Sequence, residues 1–381
     1  MKKKILLFTS YILVAALATT ITLFFTATPG PSKLTQLSEL IDSYYVENVD
    51  LTAVEDEAAH AMVAALGDRW SYYIPAKEYA AHQEQMRNAY VGIGITIMLR
   101  EDGKGFEIMS VEQSGPAWEA GLLVNDILTS VAGQDIRGMS ANDVRELVRG
   151  KEGTPVQITV LRGEESLDFQ VERRELKTTV AEGKMLSDQT GLVIIYNFDD
   201  RCAEESIAAI ESLREQGAEK LIFDVRFNGG GFAHEMVALL DYLLPEGDLF
   251  RTVDYRGKES VDTSDSDFLD MPMAVLVNSE SYSAAELFAA ALQEYDAAVV
   301  VGEQTSGKGY YQVTYRLNDG SAVGLSIGKY YTPHGVSLEG VGITPDVVVA
   351  VDEETAAKIL YGMLEPENDS QLQAALDALK S

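Results

Sequence analysis

The second half of the chain alternates short apolar segments with helical segments, and this alternation constrains the fold more than any other feature. The strand-like segments are 192–197, 221–225, 274–278 and 298–302, and the helical segments between them are 203–216, 232–244 and 283–294. Strands that alternate with helices in this order predict an α/β sheet. In such sheets, ligand-binding and catalytic residues usually lie where strands end and helices begin.

The first thirty residues are of a different kind. Three lysines at positions 2–4 precede an apolar run from position 5 to about 27. A run of ~20 apolar residues is long enough to cross a membrane as a helix, and the lysines are expected to stay on the cytoplasmic side. We therefore expect an uncleaved membrane anchor at 1–30, with the rest of the chain outside the cytoplasm. A cleaved signal peptide is the alternative, although its apolar part is usually only ~7–15 residues.

Residues 34–88 are predicted to be helical. Three helices are expected, at 34–44, 51–66 and 76–88, and an aromatic loop at 67–75 joins the last two. The first helix carries apolar residues at nearly helical spacing, namely Leu34, Leu37, Leu40, Ile41 and Tyr44. The helices at 34–66 and at 369–380 have apolar faces that are candidate surfaces for pairing two copies of the chain as a homodimer.

Composition excludes several classes of function. The chain has 30 basic and 60 acidic residues, so its net charge is −30. Nucleic acid is therefore not an expected partner, because affinity for it comes largely from Lys and Arg that neutralise phosphates. The single cysteine, Cys202, excludes intramolecular disulfides and cysteine-rich zinc sites. The four histidines are scattered, so a histidine-based metal centre is not expected either.

From residue 90 the apolar periodicity changes to two, which predicts strands at 91–97 and 106–109. A short helix with Pro116 at its start and Gly121 at its end follows them. Two further strands end near position 171, after a helix at 142–149. This order resembles a PDZ domain, as does the phrase G-P-A-x-x-A-G-L-x-x-x-D that begins at Gly115.

Three loops at predicted strand ends contain candidate functional residues. The first holds Gly229, Gly230 and Gly231 just before a helix. Consecutive glycines expose backbone N–H groups and allow a ligand to approach closely. A flexible turn explains the glycines equally well, and the dinucleotide-binding pattern G-x-G-x-x-G is absent.

The second loop places Ser283 between a strand and a helix. With Glu286 it forms the S-x-x-E pattern of a helix capping box, and on local sequence alone capping is the better interpretation. A serine in a strand–turn–helix segment is also how some hydrolases present a nucleophile beside N–H donors.

The third loop, at 302–308, reads G-x-x-x-x-G-K and nearly matches a phosphate-binding P-loop. Gly309 stands where such a loop needs Ser or Thr, and residues 310–315 alternate like a strand where a helix is required. Nucleotide binding is therefore not expected. The alternative interpretation of Lys308 is a solvated loop lysine without a specific role.

A serine nucleophile needs a base at neutral pH, and none of the four histidines is an obvious candidate for that base. His60 and His82 fall in predicted helices, and His334 lies in a separate loop, so only His234 remains as a minor candidate. A lysine can replace histidine in this role.

Taken together, the three loops resemble the C-terminal processing peptidases, also called tail-specific serine proteases. The resemblance extends over residues 34–381 and rests on five motifs in order, at 67–74, 281–286, 301–309, 312 and 342–346. It implies an α/β, crotonase/ClpP-like protease core at 175–350 with an inserted PDZ-like domain at 89–174. The N-terminal helical region would be 34–88 and a C-terminal helical tail 351–381.

The resemblance also implies roles for individual residues. Ser283 corresponds to the nucleophile, Lys308 to the general base, and Gln312 to the residue that holds the lysine in place. The oxyanion would lie between the N–H groups of Ala284 and Gly230, with Gly231 as the alternative to Gly230. No metal or organic cofactor is implied. Tyr282 and Ala285 depart from the family's small or hydroxyl residues.

The PDZ-like domain implies how substrates are chosen. Its candidate binding loop is Val91, Gly92, Ile93, Gly94 and Ile95. Domains of this kind add a peptide to a sheet edge and hold its C-terminal carboxylate with N–H groups. The expected partners are polypeptides with free apolar C-termini. Two other classes stay open: a PDZ-containing scaffold with an inactive core, and a crotonase-type enzyme acting on thioesters.

Overall fold

The computed structural model describes residues 31–186 and 189–380. The described residues form two compact units, one ending at Pro75 and one beginning at Ala76. Within them, no helix is long and apolar enough to cross a membrane. The expected anchor at 1–30 lies outside the described residues.

The first unit contains two helices and a short strand: α1 (Lys33–Tyr44), α2 (Leu51–Ala64) and β1 (Tyr72–Ile74). Both helices begin at a capping side chain, since Ser32 accepts a hydrogen bond from the N–H of Thr35 and Asp50 from that of Thr52. The apolar face predicted for α1 is present but exposed. Its leucines Leu34, Leu37 and Leu40 are 43–55% exposed, and no residue of α1 is buried.

The second unit begins with helix α3 (Ala76–Met86) and then the segment predicted to be PDZ-like. Its strands and helices, in chain order, are β2 (Ala89–Gly92), β3 (Ile95–Leu99), β4 (Phe106–Val111), α4 (Pro116–Ala120), β5 (Ile127–Val131), β6 (Gln134–Asp135), α5 (Ala141–Val148), β7 (Pro155–Arg162), β8 (Glu165–Glu172) and β9 (Arg174–Lys177).

Strands β3, β4, β5, β7 and β8 form one antiparallel sheet, with β6 paired to β5. Its core includes the fully buried Phe106, Ile108, Leu128 and Ile158. The strands by which the chain enters and leaves this segment, β2 and β9, pair with each other in antiparallel register.

The remainder of the unit is built on a largely parallel sheet. Its elements are β10 (Ala181–Met185), β11 (Thr190–Ile195), α6 (Cys202–Glu215), β12 (Lys220–Asp224), α7 (Ala233–Leu243), β13 (Gly247–Asp254), β14 (Glu259–Ser264), β15 (Met273–Val277), α8 (Ala284–Glu294), β16 (Ala298–Gly302), β17 (Tyr310–Arg316), β18 (Ala322–Tyr331), β19 (Val347–Val348), α9 (Glu353–Leu360), a 3₁₀ turn (Pro366–Asn368) and α10 (Ser370–Ala378).

The sheet has the order β10-β11-β12-β15-β16-β19, and all its pairs except β10–β11 are parallel. The predicted alternation of strands and helices is thus confirmed, with ends that shift by one or two residues. Both faces are covered, as is usual for parallel sheets. Phe223 and Val275 pack on the side of α6–α8, whereas Ile222 and Leu276 pack on the side of α10.

A second, antiparallel sheet was not predicted. In the second unit it contains β14, β13, β18 and β17 in that order. Only β17 was expected, and it confirms that a strand rather than a helix follows the loop at 302–308. The other strands carry many polar and exposed residues, which obscures their periodicity.

A buried ion pair attaches α10 to the parallel sheet. The Arg226 guanidinium lies 2.5 Å from Asp224 Oδ2 and 2.9 Å from Asp369 Oδ2, and all three side chains are at most 10% exposed. Asp369 also caps α10, because it accepts the N–H groups of Gln371 and Leu372. Arg226 lies just before the three glycines, so this contact also supports the first loop.

We expect Asp369→Ala to lower the free energy of unfolding by roughly 2–4 kcal/mol, because it removes a helix cap and one partner of a buried charge. Urea denaturation monitored by circular dichroism measures the change. The matched control is Asp377→Ala, which removes the exposed partner of Lys380 and should change stability by less than about 0.5 kcal/mol. Equal effects of the two substitutions would contradict this role of Asp369.

Candidate functional site

Ser283 occupies a strained position between β15 and α8. Its backbone angles are φ 60° and ψ −124°, although it is not a glycine, and non-glycine residues rarely adopt positive φ. The turn before it is fixed by buried hydrogen bonds: Ser281 Oγ donates to Val225 O, and Asn278 Oδ1 accepts the N–H of Phe227. The sharp turn presents the serine at the carboxyl end of a central strand, as in a nucleophile elbow.

A buried carboxylate joins the turn at 278–283, which we call the serine turn, to the loop at 302–308, which we call the lysine loop. Glu286 is fully buried, and its oxygens accept the N–H of Ser283 at 3.0 Å, of Gly307 at 2.7 Å and of Lys308 at 2.9 Å. The Thr305 hydroxyl donates a fourth hydrogen bond, at 2.5 Å. Burial raises the pKa of Glu286 despite these four hydrogen bonds.

The capping interpretation of Glu286 is therefore correct but incomplete, because its side chain does accept the Ser283 N–H. The link from the same carboxylate to Gly307 and Lys308 was not foreseen. S-x-x-E signals a cap within one helix, and a sequence does not show that a loop more than twenty residues away folds onto it.

Lys308 is half-buried in the loop between β16 and β17. Its Nζ lies 5.9 Å from the centroid of the Tyr282 ring. Its carbonyl oxygen accepts a hydrogen bond from the Tyr330 hydroxyl. Gln312 follows on β17, and its amide nitrogen donates to Tyr310 O and to Ser326 Oγ, each at 3.0 Å. These bonds fix the nitrogen side of the Gln312 amide.

Tyr330 is a site residue that sequence reasoning missed. Its phenol is buried, bonds to Lys308 O, and is close enough to form a hydrogen bond with the Ser283 side chain. Burial, followed by the charge of Glu286, raises the pKa of Tyr330 far above its usual value. No signal pointed to it, because Tyr330 lies on β18, in the sheet that was not predicted.

The first loop lies directly against the serine. Gly230 has φ 87°, and a Cβ there would lie 2.8 Å from both Ala284 N and Ser283 Cβ. The fold thus brings Gly230, Ser283 and Ala284 together. The N–H of Gly230, however, donates to Asn228 Oδ1 at 2.8 Å. Among the described residues, the N–H groups of Ala284 and Gly231 donate to no partner, so these two are the open donors in this structure.

In the loop predicted to bind carboxylates, the carbonyl oxygens of Ile93 and Gly94 accept hydrogen bonds, whereas the N–H groups of these two residues donate none within the described residues. Ile93 O accepts the N–H of Ala117, and Gly94 O accepts that of Glu112, both at 2.9 Å. Within the described part of the chain, the N–H groups of Ile93 and Gly94 have no hydrogen-bond acceptor. Gly94 has φ 77°, which suits a glycine. Val91 and Gly92 pair with β9, and Ile95 begins β3.

The loop between β11 and α6 contacts both the junction with the inserted segment and the glycines. The amides of Asn197 and Asn88 bond reciprocally at 2.8 and 3.0 Å, and the Arg201 guanidinium donates to the carbonyl oxygens of Asn88 and Thr178. In the same loop, Phe198 N donates to Gly230 O at 2.8 Å. One loop therefore supports the junction and the glycines together.

His234, the minor candidate for a base, lies at the start of α7. Its side chain is 71% exposed, and it stacks on the Phe232 ring. In the described residues, Asp200, His234 and Glu235 are the one group close enough to hold a cation, with ligand atoms within 4.8 Å of one another. Glu235 already accepts the N–H groups of Arg201 and Ala203, which explains its position without an ion.

The chain matches known families in two regions. Residues 189–349 match Peptidase family S41, and residues 107–162 match the PDZ domain. The carboxy-terminal processing protease CtpA of Bacillus subtilis (strain 168) is 31% identical in an alignment of 363 positions that covers 91% of this chain and 78% of that protein. A CtpA-like serine protease of Staphylococcus aureus (strain COL) is also 31% identical, over 84% of this chain and 64% of its own length.

One solved structure shows the same fold, and a second is similar in sequence. A protein of Bacteroides fragilis NCTC 9343 assigned to the S41 proteases superposes with a TM-score of 0.52 over 93% of this chain and 99% of its own, at 16% identity. The photosystem II D1 C-terminal processing protease is 26% identical over 84% of this chain and 87% of its own, with a TM-score of 0.48.

Asp199, beside the glycine loop, makes stability depend on pH. Burial, and then the charges of Asp200 and Glu235, raise the pKa of Asp199 to about 7. The folded state thus holds its proton more tightly than the unfolded chain, whose Asp pKa is about 3.9. The resulting stabilisation is complete below pH ~4 and is lost as the pH rises towards 7.

We expect Asp199→Asn to remove this loss, so that the variant gains roughly 1–3 kcal/mol relative to wild type between pH 4 and 8. Urea denaturation at several pH values, with a chelator present, measures the difference. The exposed Asp377→Asn is the control and should track wild type. A constant difference between Asp199→Asn and wild type across this pH range would refute the prediction.

Proposed function

Since the chain belongs to the S41 family of serine peptidases, as a C-terminal processing protease, we propose that it hydrolyses polypeptides with a Ser283–Lys308 pair. The observation that carries this proposal is the Glu286 carboxylate, which accepts the backbone N–H groups of both residues. The strained backbone of Ser283 at the end of β15 also supports it.

In the proposed reaction, Lys308 Nζ takes the proton of Ser283 Oγ as the oxygen attacks the substrate carbonyl carbon. The same proton then passes to the leaving amine, and the C–N bond breaks to leave an ester on Ser283. Water then attacks that ester while Lys308 takes one of its protons. The C–O bond to Ser283 breaks, Lys308 returns the proton to Ser283 Oγ, and the acyl part leaves as a carboxylic acid. Gln312 orients the lysine in this scheme, and Tyr330 holds the lysine backbone.

The oxyanion of the intermediate would accept the N–H of Ala284, at the start of α8, and one N–H of the glycine loop. Each such donor typically contributes ~3–4 kcal/mol. The Gly231 N–H has no acceptor among the described residues, whereas the Gly230 N–H must first leave Asn228 Oδ1. We therefore favour Gly231 in the state described here and retain Gly230 for a rearranged state.

The PDZ domain is proposed to select substrates by their C-terminal tail. The open N–H groups of Ile93 and Gly94, beside strand β3, fit an incoming carboxylate. The peptide would continue along β3 as an added strand. Polypeptides with free apolar C-termini are thus the proposed substrates.

Location and assembly are also proposals. The apolar run at 5–27 after three lysines supports a membrane anchor with the protease outside the cytoplasm. The exposed leucines of α1 support a homodimer, because contiguous exposed apolar surface often marks a protein interface.

A PDZ-containing scaffold with an inactive core is the competing function. Such a protein would have no need of the strained serine or of the lysine tied to the same carboxylate. A crotonase-type enzyme would not need the PDZ insertion.

We expect Ser283→Ala and Lys308→Ala each to abolish cleavage of unfolded casein by the folded full-length protein, because the two side chains act as one unit. His234→Ala should retain most activity and is the control, as its side chain is exposed. Circular dichroism checks folding. An inactive His234 variant together with an active Lys308 variant would refute the Ser-Lys assignment.

Activity should rise with pH between about 6 and 9. A lysine titrates near ~10.4 in water, and burial lowers its pKa, so the base becomes deprotonated over this interval. The rate of peptide cleavage against pH measures it. A plateau already reached at pH 6 would exclude lysine as the base.

A peptide with a free apolar C-terminus should be cleaved faster than its C-terminal amide, by roughly 5- to 150-fold in kcat/KM. Amidation removes a charge and an acceptor oxygen and leaves N–H groups poorly paired, at ~1–3 kcal/mol. Deleting 89–174 should erase the difference. Equal rates for the acid and the amide with the undeleted full-length protein would show that the PDZ domain does not recognise C-terminal carboxylates.

A further inference from the structure

The residue before the proposed nucleophile carries a large side chain that reaches the glycine loop. Tyr282 stands where the family motif has a small or hydroxyl residue. Its backbone N–H donates to Asn228 O at 3.1 Å, and this bond fixes the backbone from which the side chain projects. A Cβ on Gly229 would lie 2.6 Å from Tyr282 Oη and 2.8 Å from its Cζ. The phenol therefore packs directly on the backbone of Gly229.

The same ring also reaches the lysine. Lys308 Nζ lies 5.9 Å from the ring centroid, within the distance at which a cation is attracted to an aromatic face. The ring thus extends from the loop that offers the oxyanion donors to the proposed base, and it is half-buried. Because Tyr282 directly precedes Ser283 in the chain, the ring is a candidate boundary for the space available to the residues that flank the cleaved bond.

We propose that Tyr282 determines specificity by limiting the size of the substrate side chain next to the cleaved bond. The inference rests on the proposed protease function and adds a substrate class: polypeptides with a small residue, Gly, Ala or Ser, at the position that faces the ring. A side chain of Leu or Phe size would have to displace a ring held between Gly229 and Lys308. Exclusion by a rigid wall discriminates between substrates by size.

The ring has a second, electrostatic effect that a purely structural residue would not have. A cation near an aromatic face is favoured over the neutral amine, so the ring opposes deprotonation of Lys308. Removing the ring should move the midpoint of the activity–pH curve to lower pH by about 0.5 unit. Tyr282→Phe keeps the aromatic face and should keep the midpoint.

The test compares the full-length wild-type protein with Tyr282→Ala, Tyr282→Leu and Tyr282→Phe. Mass spectrometry of wild-type casein digests first locates cleaved bonds. Peptides with one such bond and a constant free C-terminal tail are then varied, one position at a time, on either side of the bond. The measured quantity is the ratio of kcat/KM for Ala to that for Leu at each position.

At one of the two flanking positions, we expect the Ala-to-Leu ratio to fall about 10- to 100-fold in Tyr282→Ala and by less in Tyr282→Leu. Tyr282→Phe is the matched control and should keep the wild-type ratio. Unchanged ratios at both positions in any folded, active variant that lacks the ring would overturn the inference. Tyr282→Leu keeps an apolar side chain against Gly229, so it provides the test if Tyr282→Ala does not fold.

The outcome separates this inference from the proposed function. If the wild type cleaves no substrate, or if Ser283→Ala cleaves every substrate that the wild type cleaves, the protease proposal fails. If the wild type cleaves and the ratios do not depend on the ring, the protease proposal stands and the role of Tyr282 is wrong. A fallen ratio with an unchanged pH midpoint refutes the electrostatic effect and supports the steric one.

Discussion

The candidate site depends on one buried carboxylate. Glu286 holds the N–H groups of Ser283, Gly307 and Lys308 and the hydroxyl of Thr305. Burying a carboxylate is costly unless hydrogen bonds compensate it, and here four donors from two loops converge on it. Loss of either loop would leave a poorly compensated buried acid. The serine turn and the lysine loop are therefore stable together rather than separately, which fits the proposed Ser283–Lys308 pair.

Hydrogen bonds with Glu286 and with the turn before Ser283 can maintain the strained backbone conformation of Ser283. A non-glycine residue at positive φ costs of order 1–3 kcal/mol and persists only where its surroundings over-determine it. Its own N–H is bound by Glu286, and the turn before it is bound through Ser281 and Asn278. The Ser283 side chain lies within hydrogen-bond reach of the Tyr330 phenol.

The sequence allowed the parallel sheet and the three loops to be predicted, because buried strands are continuous apolar runs and polar loops must follow them. It also placed Ser283, Gly230 and Ala284 at strand ends, which the fold brings together. The antiparallel sheet escaped prediction, since β13, β14 and β18 are partly exposed and mix polar with apolar residues. Tyr330 was missed for that reason. The state of the Gly230 N–H was also beyond prediction, because it depends on where the Asn228 side chain points.

The loop from Asn197 to Arg201 connects the junction of the inserted domain to the glycine loop. Arg201 binds the two chain segments that cross the junction, through Asn88 O and Thr178 O, while Phe198 binds Gly230 through its backbone. Phe198 is also packed against Phe288 of α8, with ring centroids 5.5 Å apart. Movement of the chain at the junction would therefore disturb a loop whose hydrogen bonds also support the glycine loop. It is thus the position of the junction that connects the inserted domain to the glycine loop.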